Sequence, residues 1–84
     1  MTLSTPPPEV ALELDCRGQR CPLPIIELAR HLDDVGIGEV IVVVADDHAA
    51  RVDVPAWCRL REQQYLGDSI TSDAVPSYWV RRTS

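Results

Sequence analysis

The stretch Cys21-Pro22-Leu23-Pro24-Ile25-Ile26-Glu27-Leu28-Ala29-Arg30-His31-Leu32-Asp33-Asp34-Val35-Gly36-Ile37-Gly38-Glu39-Val40-Ile41-Val42-Val43-Val44-Ala45 decides the fold. Its hydrophobic period changes halfway along. Ile25, Leu28, Ala29, Leu32 and Val35 recur at helical spacing and form one apolar stripe. Pro24 suits the first helical turn, where a missing N–H has no partner to lose. Gly36 and Gly38 predict the end of that helix. Val40 to Ala45 is then an unbroken apolar run. Such a strand is central and covered on both faces, or nearly so.

The flanks complete the pattern. Val10, Leu12 and Leu14 alternate with polar residues, which predicts a half-buried strand from Val10 to Asp15. Arg17-Gly18-Gln19-Arg20 reads as a loop. Asp46-Asp47-His48 reads as a turn of Asx type. Pro55 is expected to open a second helix that ends near Gln63, with Asp53 as its cap or pre-cap. Tyr65 to Thr71 and Ser77 to Arg82 predict two further strands, joined by a hairpin-type connection. Residues 1–9, polar and rich in proline, are expected to be a disordered lead-in to a domain over residues 10–84. The order β-α-β-α-β-β predicts an α/β (α+β) two-layer sandwich. In it, a four-stranded mixed sheet carries two helices on one face.

Composition narrows the function. At 84 residues the chain is one small domain. A chain of this size buries roughly 60% of its unfolded surface, which leaves no room for a deep catalytic cavity. The net charge is −5, and all eight basic residues are Arg. An acidic chain lacks the basic stripe that displaces counterions from nucleic acid. The absence of Lys removes Schiff-base chemistry. No segment approaches the ~20 apolar residues of a membrane span, and residues 1–9 lack the features of a signal peptide. Three cysteines, an odd number, fit thiols in a reducing compartment better than a disulfide framework. A soluble, cytoplasmic protein is therefore expected.

The candidate chemistry is at Cys21. It precedes a Pro-x-Pro pair that opens a helix, and Arg17 and Arg20 lie just upstream. A helix N-terminus and neighbouring cations favour the nucleophilic thiolate. The dipole contributes roughly 0.3–1 kcal/mol, which is about one pKa unit or less. Pro22 biases Cys21 away from helical geometry, and Pro24 does the same to Leu23. The thiol is therefore expected in an extended segment that points off the domain. The same prolines remove two N–H donors that could have held an anion.

The run Leu14-Asp15-x-Arg17-Gly18-x-x-Cys21-Pro22-x-Pro24-Ile25 resembles the signature of the TusA/SirA-like sulfur carrier family. Gly38-Glu39, Ala45-Asp46-Asp47 and Asp53-Val54-Pro55-x-Trp57-Cys58 stand at the family's spacing. His48 departs from it where a proline is common, and residues 61–66 depart from it after the second helix. The resemblance implies a small domain that carries sulfane sulfur as a persulfide on Cys21. A cysteine desulfurase or rhodanese-type donor would supply the sulfur, and a downstream acceptor protein would receive it. Arg17, Gly18, Pro22 and Pro24 would support the motif. No cofactor, nucleic acid or membrane is implied, and a monomer would keep the cysteine open to two partners.

Other readings stand beside this one. Cys16 and Cys21 could form a disulfide in a thiol redox regulator, with Arg20 and Cys16 as secondary site residues. Alternatively, Cys16 and Cys58 are small core side chains, as Trp57 and Trp79 are large ones. The domain could also be a non-catalytic interaction module. No pair among the cysteines and histidines has metal-ligand spacing, so no metal is expected.

Overall fold

The computed structural model describes residues 9–84. The expected lead-in over residues 1–9 lies outside the described residues, save for Glu9. The elements are β1 (Val10–Asp15), α1 (Leu23–His31), a 3-10 turn (Leu32–Asp34), β2 (Val40–Val44), α2 (Ala50–Arg61), β3 (Gln64–Ile70) and β4 (Pro76–Arg81). The sheet order is β1-β2-β4-β3. β1 and β2 are parallel, whereas β4 runs antiparallel to both β2 and β3. The result is an α+β domain with a four-stranded mixed sheet and two helices.

The core follows the period-two alternation of the strands. Leu14, Ile41, Val43, Tyr78 and Val80 face one layer. There they pack with Leu28 and Leu32 after β1, and with Val54, Trp57 and Cys58 of α2. Both helices thus bury their stripes on the same face. Val40, Val42 and Val44 face the other side and are also buried. No described helix lies over that face. Leu66, Val75 and Trp79, supplied by β3, β4 and the hairpin between them, pack against the three valines. A strand apolar on both sides can therefore be covered by its own sheet.

Two helix boundaries differ from expectation. α1 ends at His31, well before Gly36, and the stripe continues through the 3-10 turn. Asp33 and Asp34 sit at this C-terminus, where the helix dipole disfavours carboxylates. Val35 is buried from extended backbone, and its carbonyl accepts a hydrogen bond from Arg82 at 2.6 Å. The second helix does not open at Pro55, and Asp53 does not cap it. α2 starts at Ala50, and Pro55 lies inside it. Its buried stripe Ala50, Val54, Trp57, Cys58 has helical spacing from the first residue. That burial outweighs the one backbone hydrogen bond that proline removes.

α2 closes on Glu62, a non-glycine residue in the left-handed region at φ 58°. That conformation costs an L-residue about 1–2 kcal/mol, which glycine avoids at the expense of a more flexible unfolded chain. Glu62→Gly is therefore expected to stabilise the domain by about 0.5–1 kcal/mol. Urea denaturation should show a higher midpoint, and a lower one would contradict the assignment of strain to this position.

Candidate functional site

Parallel pairing of β1 with β2 brings their carboxyl ends to one edge of the sheet. Because β4 is antiparallel to β2, the β3–β4 hairpin opens at the same edge, where the Ala45 N–H donates to the Pro76 carbonyl at 3.1 Å. In open sheets the crevice outside the carboxyl ends of parallel strands is the usual ligand position. Three loops meet here: residues 16–22, 45–49 and 71–75.

The first loop carries Cys21 and is tied down by side chains from the other two. Gly18 takes φ +78°, which glycine adopts without strain. Its N–H donates to both carboxylate oxygens of Asp46 at 3.1 Å. The Cys21 N–H donates to Asp47 Oδ2 at 2.6 Å. Asp47 Oδ1 accepts from the Ala49 N–H at 3.1 Å, which also orders the entry to α2. The Leu23 N–H donates to the Arg20 carbonyl at 2.8 Å, and the Ile26 N–H donates to the Pro22 carbonyl at 3.0 Å. The Cys21–Pro22 peptide bond is cis. Pro24 occupies the first turn of α1 and is buried.

Arg17 serves the loop rather than the thiol. Its guanidinium makes a two-pronged contact with Asp73 of the hairpin at 3.0 and 3.1 Å. It also pairs with Asp15 at 2.9 Å. Thr71 Oγ1 completes the cluster by donating to Asp73. Arg20 lies close enough to Asp47 to favour that carboxylate's charged form. Gly18, Gln19, Arg20, Asp46, Asp47 and His48 line an open depression of about 360 Å³ beside the loop.

The Cys21 side chain does not point off the domain. It is half-buried, and its Sγ donates to Asp53 Oδ2 at 2.7 Å. Nor do its surroundings favour a thiolate. Burial pushes the thiol up first, and the hydrogen bond to Asp53 and the charges of Asp53 and Asp47 add to it, to about 12. A helix dipole worth about one unit or less and two nearby arginines do not offset this. In the structure, Arg17 is engaged by Asp15 and Asp73, and two aspartates face the sulfur. The N-terminus of α1 is also a weak anion site. Pro22 and Pro24 have no N–H, and the Leu23 N–H is already paired.

The other cysteines are in the core. Cys16 and Cys58 are each 1% exposed, and all three cysteines are free. Burial raises the Cys16 thiol, and it raises Cys58 to about 11. Among the described residues, no group of three or more His, Cys, Asp or Glu side chains could hold a metal ion. No described helix is long and apolar enough to cross a membrane.

Sequence reasoning missed three residues of this site. In sequence, Asp46 and Asp47 read as an Asx-type turn and Asp53 as a cap or pre-cap. Each instead holds the Cys21 loop from 26 to 32 residues away. The signal lay in the blocks Ala45-Asp46-Asp47 and Asp53-Val54-Pro55, which were noted for their spacing without a role.

Residues 12–82 match the family described as Sulfurtransferase TusA. The chain belongs to that family, whose general role is to relay sulfur between partner proteins. The fold is similar to that of a SirA-like protein from Desulfitobacterium hafniense solved by crystallography. The TM-score is 0.74 and the identity 22%, over 87% of this chain and 99% of that one.

The Arg17–Asp73 contact has a pH signature. Hydrogen bonds from Thr71 and Arg17 hold Asp73 down, at about 2. Its folded value lies below its unfolded one. The contact therefore contributes above the ordinary carboxylate range and is lost as pH falls through about 2. In an NMR titration the Asp73 carboxyl should titrate near 2, and Arg17→Ala should move it toward the ordinary value of about 3.9. An Asp73 indifferent to Arg17→Ala would contradict the contact.

Proposed function

We propose that this chain carries one sulfane sulfur as a persulfide on Cys21. It takes the sulfur from a cysteine desulfurase or rhodanese-type donor and passes it to an acceptor protein. The observation that carries the reading is the placing of the thiols. Of three cysteines in a sulfurtransferase-family domain, Cys21 alone is not sealed in the core. It sits on a loop at the mouth of the sheet, where partners can reach it in succession. Leu23 and Ile26, exposed on α1 at 48% and 44%, offer apolar contact to such partners.

The remaining motif residues support presentation. Gly18 and Arg17 shape the loop through Asp46 and Asp73, Pro22 and Pro24 start α1 directly after the cysteine, and Arg20 borders the open depression. Persulfide transfer is thiol exchange, so it requires no cofactor. Free thiols suit a reducing compartment, and we place the relay in the cytoplasm. A monomer suits a carrier with two successive partners.

A Cys16–Cys21 redox couple is the less favoured reading. Cys16 is 1% exposed, and its N–H is fixed to the Val44 carbonyl at 2.7 Å at the end of β1. Disulfide formation would require this part of the core to open.

Incubation with a cysteine desulfurase and cysteine, followed by mass mapping, tests the proposal. The chain should become one sulfur atom heavier at Cys21. Cys21→Ser should accept no sulfur while keeping its thermal stability within about 1 kcal/mol, as for a loop side chain outside the core. Sulfur on Cys16 or Cys58, or undiminished loading of Cys21→Ser, would contradict it.

A further inference from the structure

The short contact between Cys21 Sγ and Asp53 Oδ2 is unusual for a cysteine meant to act as a nucleophile. Reactive cysteines sit among cations, because the thiolate is the attacking form. Here the sulfur is the donor and a carboxylate is the acceptor, at 2.7 Å. Asp53 from α2 contacts the sulfur, and Asp47 from the loop after β2, bonded to the Cys21 N–H, lies near enough for its charge to act on the thiol. Arg20 and His48 stand near Asp47, and Arg17 is held by Asp15 and Asp73. Among the described residues, no cation contacts the sulfur. Asp53 is in the first turn of α2, the helix end that suits a carboxylate. Its acceptor role is therefore consistent with its own position in the chain.

We propose that Asp53 is a positioning residue that holds Cys21 as a neutral thiol turned toward α2 in the free chain, so that sulfur acceptance begins with the loss of this hydrogen bond. The proposal rests on Cys21 being the sulfur-accepting cysteine. In the transfer, Cys21 Sγ bonds to the terminal sulfur of the donor persulfide, and the donor's own S–S bond breaks. The Cys21 proton ends on the departing donor sulfur. One persulfide and one thiol give one thiol and one persulfide, with no net oxidation. While the hydrogen bond lasts, the proton stays on Sγ and the thiol is a poor nucleophile toward any passing electrophile. A docked partner that displaces Asp53 frees it.

This arrangement predicts that removing the carboxylate increases chemical reactivity, opposite to the usual effect of damaging a site. When a thiol's pKa falls by one unit, its thiolate fraction at neutral pH rises tenfold. The intrinsic nucleophilicity of that thiolate falls about threefold. The net gain is about threefold for each unit.

The test is the pH profile of Cys21 alkylation by iodoacetamide in the full chain, followed by peptide mapping. In the unaltered protein the midpoint should lie well above the ordinary thiol value of about 8.5. Asp53→Asn should lower it and raise the rate at pH 7.5 by about threefold or more. Asp53→Glu, which restores a carboxylate, should return part of the protection. Cys16 and Cys58 should stay unreactive in both variants, which shows that the core is intact. A midpoint at or below the ordinary value in the unaltered protein overturns the proposal whether or not the variants fold. An unchanged or slower rate in folded Asp53→Asn also overturns it. Sulfur loading of the unaltered protein separates the two claims. Loading with a profile indifferent to Asp53 leaves the carrier and removes the positioning role. A high midpoint without loading from either donor class removes the carrier assignment.

Discussion

The parallel pairing of β1 with β2 is the constraint on which the rest depends. It places the two loops that follow these strands side by side at one sheet edge. The antiparallel return of β4 brings the β3–β4 hairpin to the same edge. Only then can Asp46 and Asp47 reach the loop that carries Cys21, Asp53 reach the sulfur, and Asp73 reach Arg17. The pairing itself follows from the apolar run Val40–Val44, whose two faces must both be covered. The helices cover one face, and Leu66, Val75 and Trp79 pack against the other.

The site so formed is shallow, and most of its contacts go to the backbone of the loop. Carboxylates accept from the Gly18 and Cys21 N–H groups, so the loop is fixed independently of most of its side chains. This suits a chain of 84 residues, which is too small to enclose a substrate. The electrostatic balance also follows from these contacts. Burial first, then Asp53 and Asp47 beside the sulfur, outweigh a helix end stripped of N–H donors by two prolines, and Asp47 is also one of the carboxylates that order the loop. Order in the loop and a readily ionised thiol are therefore in opposition here.

The strands and the stripe of α1 were legible because each is written in a local period, whereas the stripe of α2 was not: Leu60 is exposed, and Ala50 and Val54, upstream of Pro55, are buried. Ile25, Leu28, Ala29 and Leu32 needed no knowledge of the rest of the chain. The start of α2 was not legible. Ala49 and Ala50 offer no capping side chain, whereas Pro55 and Asp53 imitate a start signal five residues later. Cys21 was legible from its place before Pro-x-Pro, but its environment was not. Its partners Asp47 and Asp53 lie 26 and 32 residues away, and the Arg17–Asp73 contact spans 56. Each aspartate has a sufficient local explanation as a turn or cap. Charge proximity across the sheet edge is set by topology, so the arginines close to Cys21 in sequence matter less to it than the aspartates close to it in space.

Under the proposed relay, sulfur on Cys21 is in transit. The most direct measurement is a pulse and chase. The chain is loaded with radiolabelled sulfur from cysteine and a desulfurase, separated from the donor, and mixed with an excess of a protein thiol acceptor. Its mass and label are then followed together. Label should leave in step with the return of the unmodified chain, with Cys21 again a free thiol. Label that stays on Cys21, or a chain that returns two hydrogen atoms lighter with Cys16 and Cys21 joined, would contradict it.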